Sequence, residues 1–301
     1  MKTILFVLSA LLLFGSSPDE TEKAQKGEMQ SLFADKATVQ KLADGFSFTE
    51  GPAADKDGNV FFTDQPNNKI YKWSIDGELS VFHDSPERAN GMYFNQNGSL
   101  IACADLHNKL VSIDMQGNIT PLVENYQGKL LNAPNDLWID PNGGIYFTDP
   151  LYKRDYWDRG PMEQDGEHVY YLKPDRKTLI RVAEDFVKPN GIIGTPDGKK
   201  LYIADIGDSK IYEYLIEDDG TLSDKKFFAP EGSDGMTIDN QGNVYLTNRA
   251  VSIFDKSGKK IQTIQVPEIP SNVCFGGKER NILFITARTS LYAMQMNVKG
   301  V

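Results

Sequence analysis

One recurring pattern restricts this chain more than any other feature. A short apolar strand, a turn that usually carries Gly, and a second strand appear six times. The copies read "EGPAADKDGNVFFTD" from Glu50, "NGMYFNQNGSLIACAD" from Asn90, "NDLWIDPNGGIYFTDP" from Asn135, "NGIIGTPDGKKLYIAD" from Asn190, "DGMTIDNQGNVYLTN" from Asp234 and, more loosely, "NVCFGGKERNILFITA" from Asn272. Their first residues are spaced by 40, 45, 55, 44 and 38 positions. Most copies are followed by a third and a fourth strand, as in "NKIYKWSI" and "GELSVFH". Repeats of roughly 40 residues with four strands each are the mark of a β-propeller. The expected fold is therefore all-β, a six-bladed propeller of four-stranded antiparallel blades. Stacked helices are excluded, because no segment after the N-terminal region holds a 3.6-residue apolar period. The last repeat is one strand short, and the stretch around residues 37–44, "TVQKLAD", is expected to complete it as the outer strand. Such a closure leaves no long exposed edge.

The N-terminus reads differently. Lys2 precedes the apolar run Ile4 to Phe14, the length of a signal-peptide core and too short for a bilayer span. Residues 1–17 are expected to be a signal peptide, 18–35 a polar linker and 36–301 the propeller. "LLLFGSS" resembles a lipoprotein signal, but Ser16 stands where the lipidated Cys would be. The expectation is export to the periplasm or beyond without lipid and without a membrane span in the mature protein; an uncleaved anchor is the alternative. The formal charge of −10 argues against a nucleic-acid partner. Cys103 and Cys274, both in apolar strand patterns, are expected to be buried thiols rather than a disulfide.

In a propeller the first strand of each blade lines the central channel. Glu50, Asn90, Asn135, Asn190, Asp234 and Asn272 open those strands, and each carries a side-chain oxygen. Left alone, Asn and Asp at such positions cap turns. Six together, brought to one axis, form an oxygen shell suited to a hard divalent cation such as Ca²⁺. Zinc is disfavoured, since no His or Cys shares these positions. Glu50 and Asp234 together balance a divalent charge.

These residues resemble the gluconolactonase, regucalcin (senescence marker protein) and strictosidine-synthase-like family of six-bladed propellers, bacterial gluconolactonases above all. "FTEGP", "QGKLLNAPND…IYFTDP", "KPNG…PDGKKLYIAD" and "SDGMTID" carry the resemblance, which spans nearly all of residues 40–298. It implies one catalytic Ca²⁺, other divalent cations being possible, held by Glu50, Asn135, Asn190 and Asp234. It places Asn90 at a substrate-side or water-mediated position and carries no role onto Asn272. Where many gluconolactonases have "CEHxxRR", this chain has "CADLHNKL" at 103–110. The resemblance therefore carries no substrate contact on that strand.

The chemistry this permits is hydrolysis of a sugar lactone, D-glucono-1,5-lactone before others. The cation would polarise the ester carbonyl and Asp234 would act as general base or nucleophile. Asp136, next to Asn135, is placed either to orient water or substrate or in a purely structural role. A Ser-His-Asp hydrolase is not supported: there are three His and no G-x-S-x-G. The 55-residue interval holds "PLYKRDYWDRGPMEQDGEH" at 150–168, a candidate lid whose Tyr152, Arg154 and Trp157 could shape a sugar pocket. Asp64, Asp105, Asp149 and Asp205, at the ends of second strands, are expected to bond turns. Two other readings stay open: a phosphotriesterase or aromatic-lactone hydrolase on the same metal site, and a non-catalytic ligand-binding propeller. A small-molecule lactone is the expected partner, and no protein partner is implied.

Overall fold

The computed structural model describes residues 31–301. The expected signal segment and most of the linker lie outside the described residues.

Six four-stranded antiparallel sheets succeed one another along the chain as the blades of a propeller. The inner strands of the first three blades are Thr49–Ala54, Ala89–Phe94 and Leu137–Ile139; those of the last three are Pro189–Gly194, Met236–Ile238 and Pro270–Gly276. Within each of the first five blades, sequence order and spatial order agree. The sixth closes as expected: Gln40–Asp44 pairs with Ser290–Gln295, Gln40 opposite Ala293 and Asp44 opposite Ser290. Side chains complete the seam between last and first blades. Ser271 Oγ donates to Thr49 O at 2.6 Å, and Thr49 Oγ1 donates to Ser290 O at 3.1 Å. Packing begins at Leu32, which is buried; Asn297 N–H donates to its carbonyl at 2.9 Å.

Local chemistry explains why the hairpin repeats. In the first, Asp55 Oδ1 accepts the main-chain N–H of Asp57 and Asn59, both at 2.9 Å. Asp140 and Asp239 do the same in the third and fifth blades. An Asx turn of this kind sets the two-strand register locally. Second strands are buried throughout, as "VFFTD" and "IYFTD" show, because both of their faces pack against neighbouring blades. Cys103 is buried and Cys274 partly so, both as free thiols.

In the four blades with Gly after the ring residue, the inner strands approach one another too closely for a side chain there. A Cβ on Gly51 would lie 2.0 Å from Asn90 O, and one on Gly235 would lie 1.9 Å from Asn272 Cγ. Only at Gly51 does φ, at +47°, also favour glycine. The glycine after the ring residue is thus chiefly a matter of space rather than of a tight turn. The ladder slips at these points, between Glu50 and Ala53 and between Ala89 and Met92. Such bulges re-aim a side chain, here into the channel.

Truncation before Asp44 tests the closure. It removes the outer strand of the sixth blade and leaves Ser290–Gln295 as an open edge. The unfolding midpoint in differential scanning calorimetry should fall by about 10 °C, as a loss of a few kcal/mol implies for a domain this size; an unchanged midpoint would show the strand to be dispensable.

Candidate active site

The six ring residues stand at corresponding places near the start of their blades, at one mouth of the channel. Glu50, Asn90, Asn135, Asn190 and Asn272 are buried, while Asp234 keeps some exposure. Main-chain bonds fix the ring from blade to blade. Asn135 N–H donates to Thr148 O at 2.9 Å, and Asn135 O accepts from Gly91 N–H at 2.8 Å. Thr63 and Thr247, on second strands, donate to Asn90 O (3.3 Å) and Ser271 O (2.6 Å) of the next blade. The repeated Thr before the terminal Asp or Asn of the second strand is thus a buttress under the ring.

Two side-chain chains of hydrogen bonds cross the mouth. Asn272 Nδ2 donates to Glu50 Oε2 at 3.1 Å and lies 3.4 Å from Asp136 Oδ2. Asn190 Nδ2 donates to Asp234 Oδ1 at 2.9 Å and to the Tyr152 hydroxyl at 2.8 Å. Asn272, onto which the family resemblance carried no role, therefore joins two carboxylates. Its signal was its place as the opening residue of the sixth inner strand. Asp136 stands among the ring residues rather than outside them, and Leu137 N–H donates to its Oδ1 at 2.9 Å.

The electrostatics are those of an anion cluster. Burial, followed by repulsion from Asp234 and Asp136, holds the Glu50 carboxyl well above its ordinary range. Burial pushes Asp136 up to about 8, with Asp234 adding to the effect. Burial pushes Asp234 up to about 6, against the Asn190 hydrogen bond and the charges of Arg154 and Arg288. Arg288 had no signal in the sequence pattern. Asn190 Oδ1 is buried and has no hydrogen-bond partner. A buried acceptor without a donor, beside carboxylates that repel one another, is the donor chemistry of a hard divalent cation. Among the described residues no group of three or more His, Cys, Asp or Glu side chains forms a ready metal shell. The oxygens here come from two ring carboxylates, Glu50 and Asp234, and four ring amides, a donor set that suits Ca²⁺ better than Zn²⁺, which is usually held by His or Cys.

The 150–168 segment lies at this mouth. Tyr152 reaches the ring through Asn190. Arg154 and Trp157 instead spend their polar ends on Asp105: Arg154 Nε donates to its Oδ2 at 2.7 Å, and Trp157 Nε1 to its carbonyl at 2.9 Å. Of the four second-strand aspartates, Asp64, Asp149 and Asp205 accept loop N–H groups, as expected. At the opposite mouth a cavity of about 530 Å³ is lined by apolar residues such as Met92, Trp138 and Phe275 together with Arg280; Asn272 alone of the ring borders it. The carboxylates do not face it.

Residues 48–289 match the family described as SMP-30/Gluconolactonase/LRE-like region. The chain belongs to this family. A gluconolactonase of Zymomonas mobilis is 30% identical over 294 residues, covering 87% of this chain and 82% of that protein. The solved structure of a gluconolactonase from Xanthomonas campestris superposes with a TM-score of 0.83 at 30% identity, covering 88% and 91% of the two chains. A calcium-binding regucalcin from Agrobacterium tumefaciens shares the fold, with a TM-score of 0.74 at 19% identity over 87% and 94% of the chains.

The anion cluster makes a prediction for protein freed of metal. Asp136 and Asp234 bind protons more tightly folded than unfolded, so they stabilise the fold below about pH 4, the ordinary carboxylate range. That contribution is lost as pH rises through about 6 for Asp234 and about 8 for Asp136. Chelator-treated protein should therefore unfold at a lower temperature at pH 8 than at pH 5. Equal midpoints would mean that the carboxylates are not strained.

Proposed function

We propose that this protein hydrolyses a sugar lactone, D-glucono-1,5-lactone to gluconate, with Ca²⁺ as cofactor. The observation that carries the reading is the buried, unpartnered Asn190 Oδ1 beside the Asp234 carboxylate at one mouth of the channel. Its relatives named gluconolactonase and lactonase support lactone hydrolysis as the reaction class. The calcium-binding regucalcin of the same fold supports the choice of metal. Glu50, Asn135, Asn190 and Asp234 would hold the cation. When bound, it would supply Lewis acidity toward the ester carbonyl.

The chain's own residues supply the rest. Asn190 fixes one oxygen of Asp234 by its 2.9 Å bond. A carboxyl at about 6 suits a general base working near neutrality. Asp234 takes a proton from the attacking water as its oxygen bonds to the lactone carbonyl carbon. The ring C–O bond then breaks, and the proton goes to the departing ring oxygen, leaving the open hydroxy acid. Alternatively, Asp234 attacks the carbonyl carbon directly, the ring C–O bond breaks as its oxygen takes a proton, and water hydrolyses the resulting mixed anhydride to the same hydroxy acid and the free Asp234. Asp136 and Asn90 orient water or the sugar hydroxyls. Tyr152, Arg154 and Trp157 close the pocket above the ring. The apolar run from Ile4 to Phe14 supports export to the periplasm or beyond.

Three variants test the assignment by initial rates on a lactone panel, with and without chelator, and by calorimetric Ca²⁺ titration. Asp234→Asn should lose activity by at least about a hundredfold, as removal of a general base does. Asn135→Asp should keep Ca²⁺ but react more slowly, because added negative charge weakens the Lewis acid. Asp205→Asn, which touches only loop N–H groups, should stay near the parent rate. Parent-level activity in Asp234→Asn with normal Ca²⁺ binding would refute the site, and chelator-insensitive activity would refute the metal.

A further inference from the structure

We propose that Asp105 is a positioning residue, the anchor that holds the 150–168 segment across the mouth and so sets Tyr152 and Arg154 over the ring. Its sequence place gives no hint of this. Asp64, Asp149 and Asp205 end the second strands of the first, third and fourth blades, as Asp105 nearly does in the second. Each of those three accepts the N–H groups of the loop entering its own blade: Ser47 and Phe48, Asn132 and Ala133, Val187 and Lys188. Asp105 makes no such bonds.

In the second blade other groups hold that loop. Arg88 N–H donates to Asn68 Oδ1 and Ala89 N–H to Pro86 O. The Asp105 carboxylate, only 2% exposed, turns to the lid. Oδ2 accepts Arg154 Nε at 2.7 Å and Gln65 Nε2 at 2.8 Å, and Gln65 Nε2 also reaches the Tyr156 hydroxyl at 2.9 Å. The Arg88 guanidinium lies 3.9 Å from the centre of the Tyr156 ring. With Trp157 on the Asp105 carbonyl, three lid residues converge on one buried residue.

This geometry makes lid opening cooperative. Lifting Arg154 leaves the buried Asp105 carboxylate with the neutral Gln65 amide on Oδ2 and no counter-charge, while Oδ1 is already buried without a partner. Breaking a buried pair on one side is costly because the remaining charge stays desolvated. The contacts therefore favour a closed state that opens as a unit.

The test uses the full chain, with hydrogen exchange of residues 150–160 followed by mass spectrometry, and steady-state kinetics on gluconolactone. Asp105→Asn and Arg154→Gln should each speed exchange in that segment by about tenfold, the mark of local opening. The double variant should exchange no faster than either single, because both remove one interaction. KM should rise on the order of tenfold with kcat within about threefold, the pattern of lost binding rather than lost chemistry. Asp64→Asn, in the corresponding place one blade earlier, should lower the unfolding midpoint and leave exchange of 150–160 unchanged. Unchanged exchange in Asp105→Asn, or additive effects in the double variant, would overturn the proposal. If Asp105→Asn fails to fold, Arg154→Gln decides by the same readout. The kinetic arm rests on the lactone reading; the exchange arm needs no substrate and stands if that reading falls.

Discussion

Four of the six strands meeting at one axis leave less room than a Cβ needs, and the rest of the molecule follows from that crowding. Where Gly51 and Gly235 touch the next blade, no Cβ fits, so the residue before each is the one that projects into the channel. Bulges at Glu50 and beside Asn90 complete the re-aiming. Chemistry at the mouth is therefore a consequence of closing the ring, because the closure forces polar side chains to share a small space. The seam at Ser271, Thr49 and Ser290 shows the same economy, in which hydroxyls bond main-chain carbonyls across blades where a ladder cannot run.

What gathers at the axis opposes folding. Burial pushes Glu50, Asp136 and Asp234 toward their protonated forms, and the charge of Asp234 adds to the push on Glu50 and Asp136. A propeller selected for stability alone would place amides or hydroxyls there. A cluster of buried carboxyls held above their ordinary range is typical of a functional site. A bound divalent cation turns the same repulsion into attraction, which links the proposed metal to stability as much as to catalysis.

The fold was legible because each repeat carries its own local instructions. The Asx turn at Asp55, Asp140 or Asp239 and the buried strand after it are written within about fifteen residues, so the period stands out without any tertiary knowledge. The ring was legible for the same reason, since its members share a register position. What the sequence could not show is what crosses between blades. Asn272 opens the loosest repeat, yet it links Glu50 to Asp136 from 222 and 136 residues away. At Gly51 and Gly235, the neighbour that excludes a Cβ belongs to another repeat. Asp105 looked like Asp64 because strand position is a local property, whereas its partners Arg154 and Trp157 come from an insertion 49 and 52 residues downstream.

Symmetry supplies the baseline against which these departures acquire meaning. Three of them fall on the second and third blades: Asp136 where four other blades carry Gly, Asp105 turned from its own loop, and the long segment at 150–168. Two of these departures, Asp105 and the 150–168 segment, form one connected set with the ring. Asp105 binds Arg154, the segment carrying Arg154 brings Tyr152 to Asn190, and Asn190 binds Asp234. On the proposed reading, the symmetric residues provide the metal ring that any member of such a fold could share. The asymmetric sector decides which lactone reaches it. A change of substrate in this architecture therefore requires no change at the ring; it requires a different segment between the strands of the third blade and a residue on the second to hold it down.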